Sequence, residues 1–370
     1  MKVFGVFIGI SLLIVTSFVV IFINTYPSLG GKNSRADIKR FSNSENFYNG
    51  VFNNLSVTNM NMSLRDMMSL GFKFLFDKNN RFPKKEPPIN SIDSFKINNI
   101  KDDFAMIWFG HSTFYVKLEG YHILLDPMFS EVPAPLPFLG NKRFQSKLPL
   151  NIDDLPEIDF VFISHDHYDH LDYKSILKLS KKVKQFYVPL GVSNHLVEWG
   201  VDIDRIIEFD WWDSKELNNL NIIFTPARHY SGRNINNRFS SLWGSWVING
   251  LNTKLFFSGD SGYDSHFKTI GDKYGPFDYA LMECGQYNKL WCNIHMMPEE
   301  TAQASIDIQA KTTLPIHWGS FALAFHEWNE PVERFTKKAD ELNLSFMVPK
   351  VGEIIYKNNK YEPKKWWINE

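Results

Sequence analysis

Cysteine is nearly missing from this chain: Cys284 and Cys292 are the only two in 370 residues. So close together they cannot staple a disulfide framework, and Cys292-Asn293-Ile294-His295 lacks the paired spacing of a zinc finger. Both are expected as free thiols packed near the core. A charge imbalance is missing as well. With 40 basic and 41 acidic side chains the formal net charge is −1, which excludes nucleic acid as a bulk electrostatic partner. Internal repeats and long low-complexity tracts are absent, so the scatter of Asn and Lys reads as compositional bias. What remains suits one large core: 44% of the residues are hydrophobic, with 11 Trp and 32 Phe for a sheet-rich interior or an acyl-chain-binding surface.

Charge is absent altogether from Val3 to Ile23, where only Ser11, Thr16 and Ser17 carry polar side chains. That length matches a membrane-spanning helix rather than the shorter apolar core of a cleaved signal. Asn24-Thr25-Tyr26-Pro27 supplies neither small residues for cleavage nor a cysteine for lipidation. Residues 1–24 are therefore expected as a single retained membrane anchor. Lys2 precedes it and Lys32, Arg35, Lys39 and Arg40 follow, which places the rest of the chain on the cytoplasmic side. Residues 25–95 read as an irregular N-terminal extension, interrupted by Pro83, Pro87 and Pro88. Its amphipathic stretch Leu64–Phe76 suits a helix that packs on the main domain or lies at a membrane surface.

From Phe104 onward the texture alternates between strands and helices. Strands are predicted at 105–109, 113–118, 122–125 and 159–163, then at 185–188, 221–225, 244–249 and 255–258, and last at 279–282 and 313–316. Helices are predicted at 173–180, 193–198, 299–309 and 332–341. Residues 96–370 thus form a layered α/β domain with sheets packed face to face.

The chemistry concentrates directly after one apolar strand, in Ser164-His165-Asp166-His167-Tyr168-Asp169-His170-Leu171-Asp172. Strand periodicity puts His165 and His167 on one side, and the turn that follows brings Asp169 and His170 to a second point. Burying so many ionisable groups is costly unless a cation compensates them, and imidazole with carboxylate suits zinc. Further strands end in His229, Asp260 and His317. Together these make five imidazoles and two carboxylates, enough for two metals with positions left for water and substrate. Asp126 also ends a strand, as a residue that orients a ligating His or caps a loop. Asp166 and Asp172 are expected to orient ligands or cap helices. His111, His122, His195, His266 and His326 are expected to be structural.

The ligand motif, with Gly259-Asp260, His229 and His317, resembles the metallo-β-lactamase fold, an αββα sandwich. Trp108-Phe109-Gly110-His111-Ser112-Thr113, Asp210-Trp211-Trp212, Leu242-Trp243-Gly244-Ser245-Trp246 and Ile316-His317-Trp318-Gly319 narrow the likeness. They resemble the N-acylphosphatidylethanolamine-hydrolysing phospholipase D group and its bacterial relatives. That resemblance implies two Zn2+ ions, one on His165, His167 and His229, the other on Asp169, His170 and His317, with Asp260 bridging. It implies substrate contacts from Tyr168 and His295, the latter also as a catalytic acid beside Asp260. The implied reaction is attack of a metal-bridging hydroxide on the phosphodiester of a phospholipid at a membrane. A lactone or other ester hydrolase of the same fold is the alternative chemistry, and a non-catalytic, membrane-tethered metal-binding protein the alternative class.

Overall fold

The computed structural model describes residues 25–60, 62–76, 80–234, 236–357, 361 and 364–368, together with 13, 16, 17 and 22. The expected membrane anchor, residues 1–24, lies outside the described residues except for those last four. Among the described residues no helix is long and apolar enough to cross a membrane.

Two sheets carry the architecture. The first comprises β1 (Phe104–Trp108), β2 (Phe114–Leu118), β3 (Tyr121–Leu125), β4 (Ile158–Phe162), β5 (Val183–Pro189) and β6 (Ile206–Phe209). The second comprises β7 (Ser214–Leu217), β8 (Leu220–Thr225), β9 (Ser245–Gly250), β10 (Lys254–Phe257), β11 (Tyr279–Glu283) and β12 (Thr313–Ile316). A last strand, β13 (Ile354–Tyr356), returns to the first sheet, whose seven strands run in the order β13-β1-β2-β3-β4-β5-β6. The second sheet has six, in the order β12-β11-β10-β9-β8-β7. Each sheet is antiparallel at one end and parallel at the other, along β3-β4-β5-β6 and along β10-β11-β12.

The residues of these strands explain the layers. In β1 all five side chains are buried, so neither face can meet water. Phe104, Met106 and Trp108 enter the core between the sheets, where Phe162, Ile222, Trp246, Phe257 and Leu281 meet them. Ala105 and Ile107 join an outer cluster, in which Leu124, Val161 and Phe186 pack under the helices Tyr173–Leu179 and Ser193–Glu198 through Ile176, Leu179 and Leu196. The second sheet repeats the pattern. Ile223, Val247, Phe256 and Ala280 pack against Phe267, Ile270 and Ala304 of the helices His266–Tyr274 and Pro298–Asp307 and against Ile308, which caps the latter. The result is helix, sheet, sheet, helix, the expected αββα order.

Several particulars differ from the sequence reading. β6, β7, β13 and the His266–Tyr274 helix were not expected. β7 reads Ser-Lys-Glu-Leu with half-exposed side chains, an edge strand whose composition hides it. Cys292 is exposed rather than packed near the core, while Cys284 is buried. Within residues 25–95, Phe41, Phe47 and Phe52 insert into the core between the sheets, and their rings meet edge-on or tilted with centroids 4.9–5.7 Å apart.

Trp246 joins the core to the edge of the sandwich where the strand before His165 ends. It is fully buried against Phe162, Phe209 and Phe224, and its Nε1 donates to the Ile163 carbonyl at 2.9 Å, two residues before His165. Trp246→Ala should cost about 3–5 kcal/mol of unfolding free energy, read by denaturant titration. A cost below about 1 kcal/mol would mean that this contact does not organise the strand end.

Candidate metal centre

Five strand ends meet at one edge of the sandwich. β4 leads into His165–His170, β8 into His229, β10 into Asp260, β12 into His317 and β3 into Asp126. The seven residues expected as ligands converge there. His165 Nε2 lies 2.9 Å from His167 Nδ1, and His229 Nε2 lies 3.2 Å from the same atom. Asp260 Oδ2 faces this trio at 3.8 Å from His165 and 3.9 Å from His229. On the other side Asp260 Oδ2 lies 3.1 Å from His170 Nε2, and its Oδ1 3.1 Å from His317 Nδ1. Asp169 Oδ2 completes that second group, 3.5 Å from His170 Nε2 and 3.9 Å from His317 Nε2.

These groups fit a cation and fit little else. Imidazole nitrogens that face one another at hydrogen-bond distance cannot all find donors. His167 Nε2, His170 Nε2 and Asp260 Oδ1 are buried without a hydrogen-bonding partner among the described residues. Burial, reinforced by the neighbouring imidazoles, holds His165 and His229 well below the usual histidine range, and burial brings His167 down to about 4. Such rings are neutral, the form that ligates metal. Burial also pushes Asp260 up to about 6, against the pull of His170. His170 is the exception: burial opposes its charge, but Asp260, Asp169 and Asp126 together drive its pKa well above the usual value.

The surrounding residues orient the rings. Asp126, fully buried, takes the Nδ1 side of His170 at 2.6 Å and accepts from the Ser164 backbone N–H and hydroxyl at 2.7 and 2.5 Å. That leaves His170 Nε2 for the centre, the orienting role expected of it. His229 Nδ1 lies 2.9 Å from the Ile294 carbonyl, which likewise commits Nε2 to the centre. Asp172 caps the helix that starts at Tyr173. Asp166 is drawn away from the centre, accepting from Gly232 N–H and the Ser241 hydroxyl at 2.7 and 2.9 Å.

Backbone strain collects here too. His111, Asp126 and His317 have φ values of 54°, 38° and 67°, which non-glycine residues adopt at a cost and mainly where surroundings enforce them. Gly259, at φ 56°, precedes Asp260; a Cβ there would lie 2.6 Å from the Ser164 Cβ, so only glycine lets β10 approach the His165 loop.

Four residues were missed or placed otherwise by the sequence reading. His111, expected to be structural, lies within the second group: its Nε2 is 2.9 Å from Asp169 Oδ2 and its ring 4.1 Å from that of His317. Asn54 grips the His229 backbone from both sides, accepting from its N–H at 3.0 Å and donating to its carbonyl at 2.8 Å. Glu283 ends β11 wholly buried, its Oε1 3.1 Å from His295 Nδ1 and its Oε2 accepting from Met296 N–H at 3.0 Å. Arg238 stacks over Tyr230 at 4.8 Å beside the cavity.

The centre floors a cavity of about 390 Å³. His167, Asp169, Asp260 and His317 supply its polar floor, and Met60, Met62, Leu290, Trp291 and Leu323 its apolar walls. Both residues expected to contact substrate line it. His295 sits 5.0 Å from the His229 ring, with its pKa pushed down to about 3 by burial. Tyr168 presents its ring rather than its hydroxyl: the hydroxyl donates to the Arg233 carbonyl, and the Arg233 guanidinium lies 4.1 Å over the ring.

Comparison with known proteins agrees with this arrangement. Residues 121–318 match the family model described as Beta-lactamase superfamily domain. An uncharacterized protein of Mycobacterium tuberculosis is 36% identical over 329 residues, covering 88% of this chain and 87% of the relative. The N-acyl-phosphatidylethanolamine-hydrolyzing phospholipase D 1 of Caenorhabditis elegans is 33% identical over 285 residues, covering 72% of this chain and 79% of that protein. Among solved structures, the metallo hydrolase Igni18 of Ignicoccus hospitalis superposes with a TM-score of 0.52 at 21% identity, over 68% of this chain and 97% of its own. A fold of two helix-covered sheets with a His/Asp centre at their edge defines a metal-dependent hydrolase. The chain belongs to the metallo-β-lactamase superfamily.

Asp126 is fully buried and holds the Nδ1 side of His170, so its contribution is read through metal binding. Asp126→Asn should lower metal affinity by roughly 10- to 100-fold in equilibrium dialysis. An unchanged affinity would show that the His170 ring is held by packing.

Proposed function

We propose that this chain hydrolyses the head-group phosphodiester of a phospholipid in the phospholipase D sense, releasing phosphatidic acid and an alcohol. One observation carries the reading: the cavity is charged only at its floor and on one wall, and apolar at Met60, Met62, Leu290 and Leu323. A molecule with a phosphate at one end and acyl chains at the other has that polarity profile. The activity for which the C. elegans relative is named supports an N-acylated phosphatidylethanolamine as the first substrate to try. The uncharged Val3–Ile23 segment would keep the domain beside a bilayer, on its cytoplasmic face.

Zinc is the proposed metal, because imidazole and carboxylate ligands suit it. His165, His167 and His229 would hold one ion, Asp169, His170 and His317 the other, with Asp260 between. Bound there, the ions supply Lewis-acid charge for phosphate oxygens and lower the pKa of water. The chain's own residues do the remaining work. Arg238, exposed beside the floor, draws the phosphodiester anion in. Burial, with Asp260 nearby, raises Glu283 well above the carboxylate range, so its carboxyl keeps a proton and donates it towards His295 Nδ1. That sets the imidazole tautomer: His295 carries its proton on Nε2, where it donates to a phosphate oxygen or to the departing alkoxide. Tyr168, fixed by Arg233, walls the cavity beside His167.

A panel of N-acylphosphatidylethanolamine, phosphatidylcholine and a lactone, offered to the purified full-length chain, tests the reading. Phosphatidic acid release is expected from at least one phospholipid; turnover of the lactone alone would sink the phospholipid assignment. His167→Ala should abolish hydrolysis and reduce bound zinc, whereas undiminished turnover would remove the metal centre from the reaction. Glu283→Gln, which still donates to Nδ1, should retain activity to within about tenfold, and Glu283→Leu should lose roughly 100-fold in kcat with bound metal unchanged. Equal rates for the two variants would detach Glu283 from the mechanism.

A further inference from the structure

The helix Leu64–Phe76 turns an apolar face to solvent. Leu64, Met68, Phe72 and Phe76 recur every fourth residue and so share one side, with exposures of 71, 69, 66 and 66%. Met67 adds a further 49% beside them, and the Phe72 and Phe76 rings lie 4.7 Å apart. Arg65 and Lys73 are exposed on the same helix. Isolated exposed hydrophobic residues are ordinary, but a continuous stripe of this length marks a contact surface.

Its position indicates what covers it. Met60 and Met62 line the metal cavity, and Met62 and Leu290 are exposed at 37 and 39%, so the cavity rim is itself apolar. Leu64 follows Met62 by two residues, which puts the start of the stripe within roughly 7 Å of that rim. A substrate whose phosphate reaches the floor must lead its acyl chains out there. The same N-terminal part of the chain holds Val3–Ile23, uncharged and long enough to cross a bilayer.

Resting on the phospholipid reading above, we infer that the Leu64–Phe76 helix lies in the lipid–water interface and turns the cavity mouth to the membrane. Leu64, Met68, Phe72 and Phe76 dip among acyl chains, and Arg65 and Lys73 meet the lipid phosphates. A phospholipid then passes from the leaflet along this apolar face to the metals without exposing its chains to water.

Two measurements on the full-length chain test this. The double variant Phe72→Ser/Phe76→Ser changes only exposed side chains, so its thermal unfolding should match that of the parent. Its hydrolysis of phospholipid in phosphatidylcholine–phosphatidylglycerol vesicles should fall roughly tenfold or more, and its rate on a short-chain phospholipid dissolved as monomers should stay within about twofold. Equal effects on both substrates, or none on either, would overturn the inference. In a Cys292→Ser background, a spin label on Phe72→Cys should become more accessible to oxygen than to an aqueous nickel chelate when vesicles are added. A label still open to the chelate overturns the inference, and so does one shielded without vesicles as the particle mass doubles, which makes the stripe a self-association surface. A label that enters the bilayer while no phospholipid is hydrolysed would leave the interface standing and remove the phospholipase reading.

Discussion

The carboxylate of Asp260 lies where two groups of buried imidazoles come within reach of each other, and the rest of the edge is arranged around it. It is within 3.9 Å of ring nitrogens from both groups, and burial, with the Asp169 and Asp126 carboxylates nearby, pushes it up towards neutrality. Five histidines, three of them in one short loop, cannot be packed this way by hydrogen bonding among themselves. A cation is the component that makes the collection stable, so a cluster unfavourable by itself becomes a strong site for a divalent ion. The sandwich delivers this because each ligand sits just past a strand end, where the sheet fixes the backbone and the loop sets the direction.

The supporting contacts are backbone-centred, which makes the arrangement stiff. Asp126 joins His170 to the Ser164 backbone, Ile294 holds His229 from behind, and the His111 carbonyl accepts from both His317 N–H and Trp108 Nε1. The β1–β2 loop, the loop after β12 and the loop after β4 are thereby one network. Positive φ values at His111, Asp126 and His317 show that local preference has been overruled where the centre needs it.

Much of this was legible in the sequence because strand and ligand signals coincide. The His165–His170 motif follows a strand with no polar interruption except Asp159, and Asp260 and His317 end runs that are almost wholly apolar. A layered α/β body with face-to-face sheets followed from apolar strand runs interspersed with helices, and the αββα order from the resemblance to the metallo-β-lactamase fold. What escaped detection had no periodic or motif signal. Asn54 lies in a stretch that read as an irregular extension, and nothing in that reading gave its side chain the task of holding the His229 backbone. Glu283 ends an apolar strand as a lone carboxylate, and only the fold shows that His295 comes back to meet it. His111 was set aside because no ligand pattern includes it, although Asp169 and His317 close around its ring. Tyr168, expected as a substrate contact, lines the cavity, but its hydroxyl is occupied by a backbone carbonyl that no spacing rule could foresee.

The direct test of the central claim is the metal content of the full-length protein purified without chelators, measured by elemental analysis on a chain quantified by amino-acid analysis. The account predicts about two equivalents of divalent metal per chain, with removal by a strong chelator lowering the unfolding temperature by several degrees and restoration on adding zinc. A chain that purifies without metal, takes none up on dialysis and unfolds at the same temperature in zinc and in chelator would contradict it.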